Sequence, residues 1–247
     1  MLVKGWLRSG IFFGLFVVGI FVFGMAITLL WPVTTLAQRR ALSRRWSRYT
    51  RAMLAWTCDL RERVEGLENL PSGPCILLSK HQSAWETVAF LSIFPGCVLV
   101  LKESLMWIPV FGWALKATEQ IAIDRSQGVA ALHRLHEQGL RQVEGGMSVL
   151  IFPEGTRSAP GHPGKYNPGG VALALAAGVP IVPVAHNAGL FWARRTFVKK
   201  KGVIHVRIGP PIATAGLNRS DRKALMVQVE ATIEGMMTTL EGPTVED

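Results

Sequence analysis

The chain has 247 residues, of which 49% are hydrophobic and 18% charged, enough to bury one large core and too apolar for disorder by composition. Its formal charge of +10 is concentrated at one end: Lys4, Arg8 and six arginines from Arg39 to Arg51 precede the first acidic residue, Asp59, and the rest carries 19 basic against 17 acidic side chains. That near-neutral remainder argues against nucleic-acid binding, and three cysteines in no zinc or disulfide spacing argue for a reducing compartment.

Residues 10–31, GIFFGLFVVGIFVFGMAITLLW, carry no charge and as a helix are long enough to cross a hydrocarbon core of ~30 Å. Trp6 and Trp31 bracket the run as interfacial anchors do. The apolar stretch is too long for a signal peptide, and TTLAQRR is a poor cleavage site. The arginines that follow outnumber the basic residues before it, which places residues 39–247 on the cytoplasmic side of the inner membrane. Residues 39–60 space Leu42, Trp46, Tyr49, Met53 and Trp56 at helical steps with arginines opposite, the pattern of an amphipathic helix on an anionic phospholipid surface. Gly5, Gly10, Gly14, Gly19 and Gly24 permit close helix packing, so the first helix either spans the bilayer or turns back as a hairpin. Residues 1–60 are therefore expected to form membrane-anchoring helices, 61–241 a single domain and 242–247 a frayed tail.

Beyond Asp59, short apolar runs alternate with helical patterns. Residues 75–79, 97–101, 120–124, 148–152, 181–185 and 203–208 read as strands. WETVAFLSIF, QGVAALHRLHEQGLRQVEG and GGVALALAAG read as helices, as does 221–241, with Leu225, Val229, Ile233 and Met237 in one row. The expected fold is α/β, a mixed and partly parallel sheet flanked by helices, behind an N-terminal hydrophobic two-helix membrane anchor.

In an open α/β sheet ligands sit beyond the carboxyl ends of strands. His81 in SKHQSAWET leaves one such end, and histidine is the side chain that exchanges protons near neutral pH. Glu86, five residues on, is placed to accept its Nδ1 proton and fix the tautomer. No Gly-x-Ser-x-Gly elbow is present and no cysteine lies nearby, so the nucleophile would be the substrate's own hydroxyl; Ser83 suits a helix N-cap. FPEGTRS (152–158) offers Glu154, Gly155, Thr156 and Arg157 in a tight turn after another strand, with Gly155 admitting a ligand to the backbone and Arg157 suited to a phosphate. Lys102 and Arg125 stand at two further strand ends and add positive charge. Each feature alone also fits an ordinary turn or a surface ion pair.

Together these blocks resemble the glycerolipid acyltransferases, most closely the bacterial 1-acylglycerol-3-phosphate (lysophosphatidic acid) acyltransferases. HQSAWE is similar to that family's first block, KESLMWIPVFGWALKATEQIAIDR (102–125) to its second, FPEGTRS to its third and VPIVPVA (179–185) to its fourth, in the same order. The resemblance implies transfer of an acyl group from acyl-CoA or acyl-carrier protein to lysophosphatidic acid, giving phosphatidic acid. His81 would be the general base, Glu86 its orienting acid, and Glu154, Gly155, Thr156, Arg157, Arg125 and Lys102 would hold the substrate phosphate. It implies no metal, no other cofactor and no acyl-enzyme. This chain departs from the family pattern in having Glu86 where Asp is usual, Lys80 where Asn usually precedes the histidine, and YNPG (166–169) where relatives often carry FKKG. Lys80 could then reach the phosphate itself. Another lysophospholipid or an amino-acid lysolipid is the alternative acceptor, and a non-catalytic lipid-binding protein the alternative class.

Overall fold

The structure, a computed structural model, describes residues 2–240, so the expected frayed tail lies outside the described residues. Seven strands form one sheet: β1 (Leu60–Glu65), β2 (Ile76–Ser79), β3 (Cys97–Lys102), β4 (Ile121–Ile123), β5 (Ser148–Ile151), β6 (Ile181–His186) and β7 (Gly202–Ile208). Their order is β1-β7-β6-β2-β5-β3-β4, parallel throughout except between β6 and β7. Seven helices accompany them: α1 (Leu2–Leu29), α2 (Leu36–Cys58), α3 (Trp85–Ile93), α4 (Phe111–Ala117), α5 (Val129–Glu144), α6 (Gly169–Ala177) and α7 (Arg222–Leu240). The mixed α/β architecture is the one expected.

The central strands read as nearly unbroken apolar runs because both faces are covered. Alternate side chains divide between two cores: Ile76 and Leu78 face α5, α6 and α7, whereas Leu77 faces α1, α2 and α3. Leu225, Val229, Ile233 and Met237 all enter the first core, as their spacing requires. The edge strand β1, LRERVE, was not expected. Only Leu60 is fully buried there; Arg63 pairs with Glu65 on one face and Glu62 with Arg51 of α2 on the other.

Helices α1 and α2 form a hairpin joined through Trp31–Val33, and a capping box between Thr35 and Gln38 starts α2. Part of the arginine-rich face of 39–60 turns to the protein. Helix α2 lies between α1 and the sheet domain, and its buried residues include Arg39, Ser47, Thr50 and Leu54. Arg39 and Arg40 donate to the Ala117 and Thr118 carbonyls, and Arg51 is held by Glu62. Several arginines meant for lipid phosphates therefore fasten the hairpin to the domain, while Arg45 and Arg48 remain exposed. Trp46 and Tyr49 pack on Phe16 and Phe23 of α1.

Helix α1 is apolar enough to cross a membrane, with mean hydropathy 2.6 over its most apolar window. One side is applied to the protein along its length. Trp6 stacks on Phe197 at 5.2 Å, Phe12 is buried against Trp192, and a Cβ added at Gly24 would lie 2.7 Å from Val110. The other side exposes Leu7, Ile11, Val18, Phe21 and Val22.

Candidate active site

A cavity of about 720 Å³ opens at the carboxyl ends of β2, β3, β4 and β5. His81, Lys102, Arg125, Gly155, Thr156 and Arg157 line its polar part; Val88, Leu91, Phe111 and Leu115 continue it as an apolar recess. This size and composition suit a ligand with one charged end and a long apolar one. Ile20, Phe23 and Ile27 of α1 complete the apolar wall, so the N-terminal helix is part of the site.

His81 emerges where β2 ends, and its ring stacks on Phe152 at 4.2 Å and 19°. Its Nδ1–H donates to Glu86 Oε1 at 2.8 Å, which leaves Nε2 as the basic nitrogen. The Glu86 carboxylate, fully buried on the first turn of α3, also accepts the amides of Gln82 (2.9 Å) and Ser83 (2.7 Å) on the same oxygen. Three donors on Oε1 account for the longer acid: Glu86 folds back from the helix to fasten the loop that carries the histidine. Burial alone raises its pKa. The bond to His81 and its charge when protonated, with the Ser83 amide, pull the other way, and the carboxyl lies below its ordinary value. Ser83 Oγ accepts the Trp85 amide at 3.1 Å, a local brace at the start of α3.

The backbone around His81 is fixed on every side. His81 N–H donates to Glu154 Oε2 at 2.9 Å, and its carbonyl accepts from Ser158 N–H at 2.8 Å. The preceding Lys80 carbonyl accepts from His186 Nε2 at 2.9 Å. His186 is wholly buried and its Nδ1 accepts the Ala188 amide, so it is a neutral tautomer. Burial lowers its pKa against the opposing pull of Glu86 and the Lys80 carbonyl.

The phosphate-holding role expected of Glu154 is corrected. Its side chain is wholly buried and does not line the cavity. Oε1 accepts Lys80 Nζ at 2.9 Å and Gly164 N–H at 2.8 Å, while Oε2 holds His81 N–H. Lys80 likewise turns inward, away from any phosphate, to bridge Glu154 and Glu234 of α7, and Tyr166 donates to the same Glu234 oxygen at 2.6 Å. Glu154 therefore joins the histidine loop to the turn at 152–158. Phe152, Gly155, Thr156 and Arg157 of that turn face the cavity. Gly155 has φ +72°, a region that favours glycine, and Arg125 packs against it.

Sequence reasoning missed the wall residues of α1, the clamp from His186 and the partner Glu234, and the cavity gains a further cation in Arg194. Only the first had a local signal, since Ile20, Phe23 and Ile27 share one helical face. Among the described residues, no group of three or more His, Cys, Asp and Glu stands where it could hold a metal ion.

A histidine held by a buried carboxylate, lining a cavity with cationic side chains and an apolar recess, suits acyl transfer to a lipid, and comparison with known proteins agrees. The acyltransferase family model matches residues 61–187, and the chain belongs to that family. It is 39% identical over 235 residues to 1-acyl-sn-glycerol-3-phosphate acyltransferase of Pseudomonas aeruginosa, spanning 95% of this chain and 91% of that one. It is 29% identical over 201 residues to the human 1-acyl-sn-glycerol-3-phosphate acyltransferase alpha, spanning 80% of this chain and 71% of the relative. The crystal structure of the 1-acyl-sn-glycerophosphate acyltransferase from Thermotoga maritima superposes with TM-score 0.81 and 20% identity over 99% of each chain, a likeness of fold.

Proposed function

We propose that the protein transfers a fatty acyl group from a thioester, acyl-CoA or acyl-carrier protein, to the free sn-2 hydroxyl of lysophosphatidic acid, forming phosphatidic acid. The observation that carries this reading is His81, with Nδ1 engaged by Glu86, at the junction between the cationic rim and the apolar recess. His81 Nε2 takes the hydroxyl proton as the oxygen attacks the thioester carbonyl. The imidazolium, balanced by Glu86, returns that proton to the departing thiolate as the tetrahedral intermediate collapses. Arg157, Arg125 and Lys102 hold the phosphate beside the Gly155–Thr156 turn, and the recess takes an acyl chain. The thioester is a co-substrate, and this chemistry calls for no further cofactor. The names of the relatives supply the acceptor.

Helix α1 meets the sheet domain near both of its ends, at Trp6–Phe197 and at Gly24–Val110. A helix so held cannot put its ends on opposite sides of a bilayer while the domain stays on one. We place it in a single leaflet, with its exposed apolar side in lipid and the domain on the cytoplasmic face of the inner membrane.

The test follows free thiol release from acyl-CoA or acyl-carrier protein, with lysophosphatidic acid as acceptor, in micelles. Wild type should turn over, His81→Ala should fall at least ~100-fold, and Glu86→Asp should keep measurable activity. A His81→Ala variant running at the wild-type rate would sink the mechanism. Wild type binding lysophosphatidic acid without releasing thiol from either donor would point to a lipid-binding protein.

A further inference from the structure

The cations around His81 come from segments on both sides of β2 in the sheet. In the sheet, β5, β3 and β4 lie to one side of β2 and deliver Arg157, Lys102 and Arg125. The strand on the other side is β6, and the segment that follows it brings Arg194 to the same cavity. Arg194 Nη1 donates to the Arg157 carbonyl at 3.1 Å, so its guanidinium lies against the turn at 152–158 with other N–H groups uncommitted to that bond. The loop that carries it is braced. Trp192 N–H bonds Ala188 O and Lys200 N–H bonds Phe191 O, both at 2.9 Å, and Lys199 N–H bonds Ser9 Oγ of α1. Lys199 itself is buried among Phe12, Trp192 and Phe197, its Nζ 4.8–5.6 Å from their ring centres. Around Arg194 the exposed cations Arg195, Lys200 and Lys201 continue, and no acidic residue occurs between Glu154 and Asp221.

A transfer between two substrates with His81 at the point of reaction needs two phosphate sites when both substrates carry phosphate. We propose that Arg194 binds a phosphate of the acyl donor, the group common to coenzyme A and the phosphopantetheine arm of a carrier protein, while Arg157, Lys102 and Arg125 serve the acceptor. This rests on the thioester-donor reading given above. The exposed strip beyond Arg194 then attracts the rest of an anionic donor.

The experiment compares wild type with Arg194→Gln, using palmitoyl-CoA, palmitoyl-acyl-carrier protein and the phosphate-free palmitoyl-pantetheine as donors. Arg194 is exposed and the loop has its own braces, so the variant should melt like wild type. With phosphate-bearing donors its donor KM should rise about tenfold, the loss of one charge-assisted hydrogen bond. With palmitoyl-pantetheine the donor KM of the two proteins should be alike, and any rise in KM for lysophosphatidic acid through the lost bond to the Arg157 carbonyl should be smaller than the rise for the phosphate-bearing donors. A rise with both natural donors assigns the pantetheine phosphate; a rise with palmitoyl-CoA alone assigns a nucleotide phosphate. An unchanged donor KM, an equal loss with palmitoyl-pantetheine, or a rise confined to lysophosphatidic acid would overturn the proposal. Direct titration of both proteins with coenzyme A needs no turnover and separates this proposal from failure of the acyltransferase reading: about tenfold weaker binding is expected for Arg194→Gln, and equal binding would count against it.

Discussion

Replacing Lys80 by methionine should destabilise the protein far more than an ordinary lysine substitution. The Lys80 side chain is 2% exposed, and its ammonium lies 2.9 Å from Glu154 and 2.8 Å from Glu234. Methionine fills a similar volume and removes the charge. Glu154, wholly buried, would then keep its carboxylate with only the amides of His81 and Gly164 as donors. Removing one partner of a buried pair costs ~3–5 kcal/mol, because the remaining charge is stranded. Glu234 is 28% exposed and regains water, so its share of that cost is small, on the order of 1 kcal/mol or less. Neutralising the stranded acid as well, in Lys80→Met with Glu154→Gln, should recover part of the loss and give a coupling of ~1–3 kcal/mol. The assay is urea unfolding of wild type, Lys80→Met, Glu154→Gln and the double variant in a non-ionic detergent, compared at a common m-value. Because Glu154 also holds His81 N–H, kcat should fall in Lys80→Met while lysophosphatidic acid KM stays near wild type. A loss below about 1 kcal/mol, or costs that simply add, would show that the buried ions do not act as a unit.

Glu86→Gln keeps the shape and removes the charge that stabilises an imidazolium, so kcat should drop by ~100-fold or more with the melting temperature less affected; a rate within a factor of two of wild type would refute the assigned role. Gly155→Ala forces an L side chain into φ +72°, at ~1–2 kcal/mol, and the turn should open at the cost of a raised lysophosphatidic acid KM; unchanged KM and stability would show that the turn tolerates it. His186, its pKa lowered by burial, is neutral when folded and free to protonate when unfolded, so the unfolded chain binds more protons below about pH 6.5. Stability should therefore be fully present above that pH and lost as pH falls below it; His186→Gln should flatten that slope in melts recorded from pH 7 to 5, and an unaltered slope would place the titration elsewhere.

What could be read from the chain depended on how local each feature is. His81 and Glu86 stand five residues apart across one strand-to-helix junction, so their pairing follows from a short segment. The fate of Glu154 depends on Lys80, 74 residues away, and that of Lys80 on Glu234, 154 residues away, and no local pattern encodes such distances. Helix α4 was concealed because IPVFGWAL carries a proline just before the helix and a glycine within it, and Val110 before it takes φ +65°, a rare conformation for a branched residue. Strand β1 escaped notice because its charged residues alternate as in a solvated loop, and only pairing with β7 makes it a strand. In α2 the arginines looked like a lipid-facing stripe because sequence alone cannot show that carbonyls at Ala117 and Thr118 wait opposite them.

The contact of Gly24 with Val110 connects the anchor to the chemistry. A side chain at position 24 would collide with Val110, so glycine lets α1 approach the segment leading into α4 closely. Across that seam Phe23 and Ile27 of α1 meet Phe111, Ala114 and Leu115 on the walls of one cavity, while Trp107, Ile108 and Trp113 stay exposed beside the apolar outer side of α1. Moving α1 away would open the apolar recess to water and lose ~25 cal/mol for each Å² of apolar surface uncovered. The same helix thus presents an apolar face to the outside and lines the apolar recess on the other side. On the proposed placement in one leaflet, an acyl chain leaving the bilayer would pass from one apolar surface to another without crossing water, and that is the physical advantage of building the site's wall from such a helix.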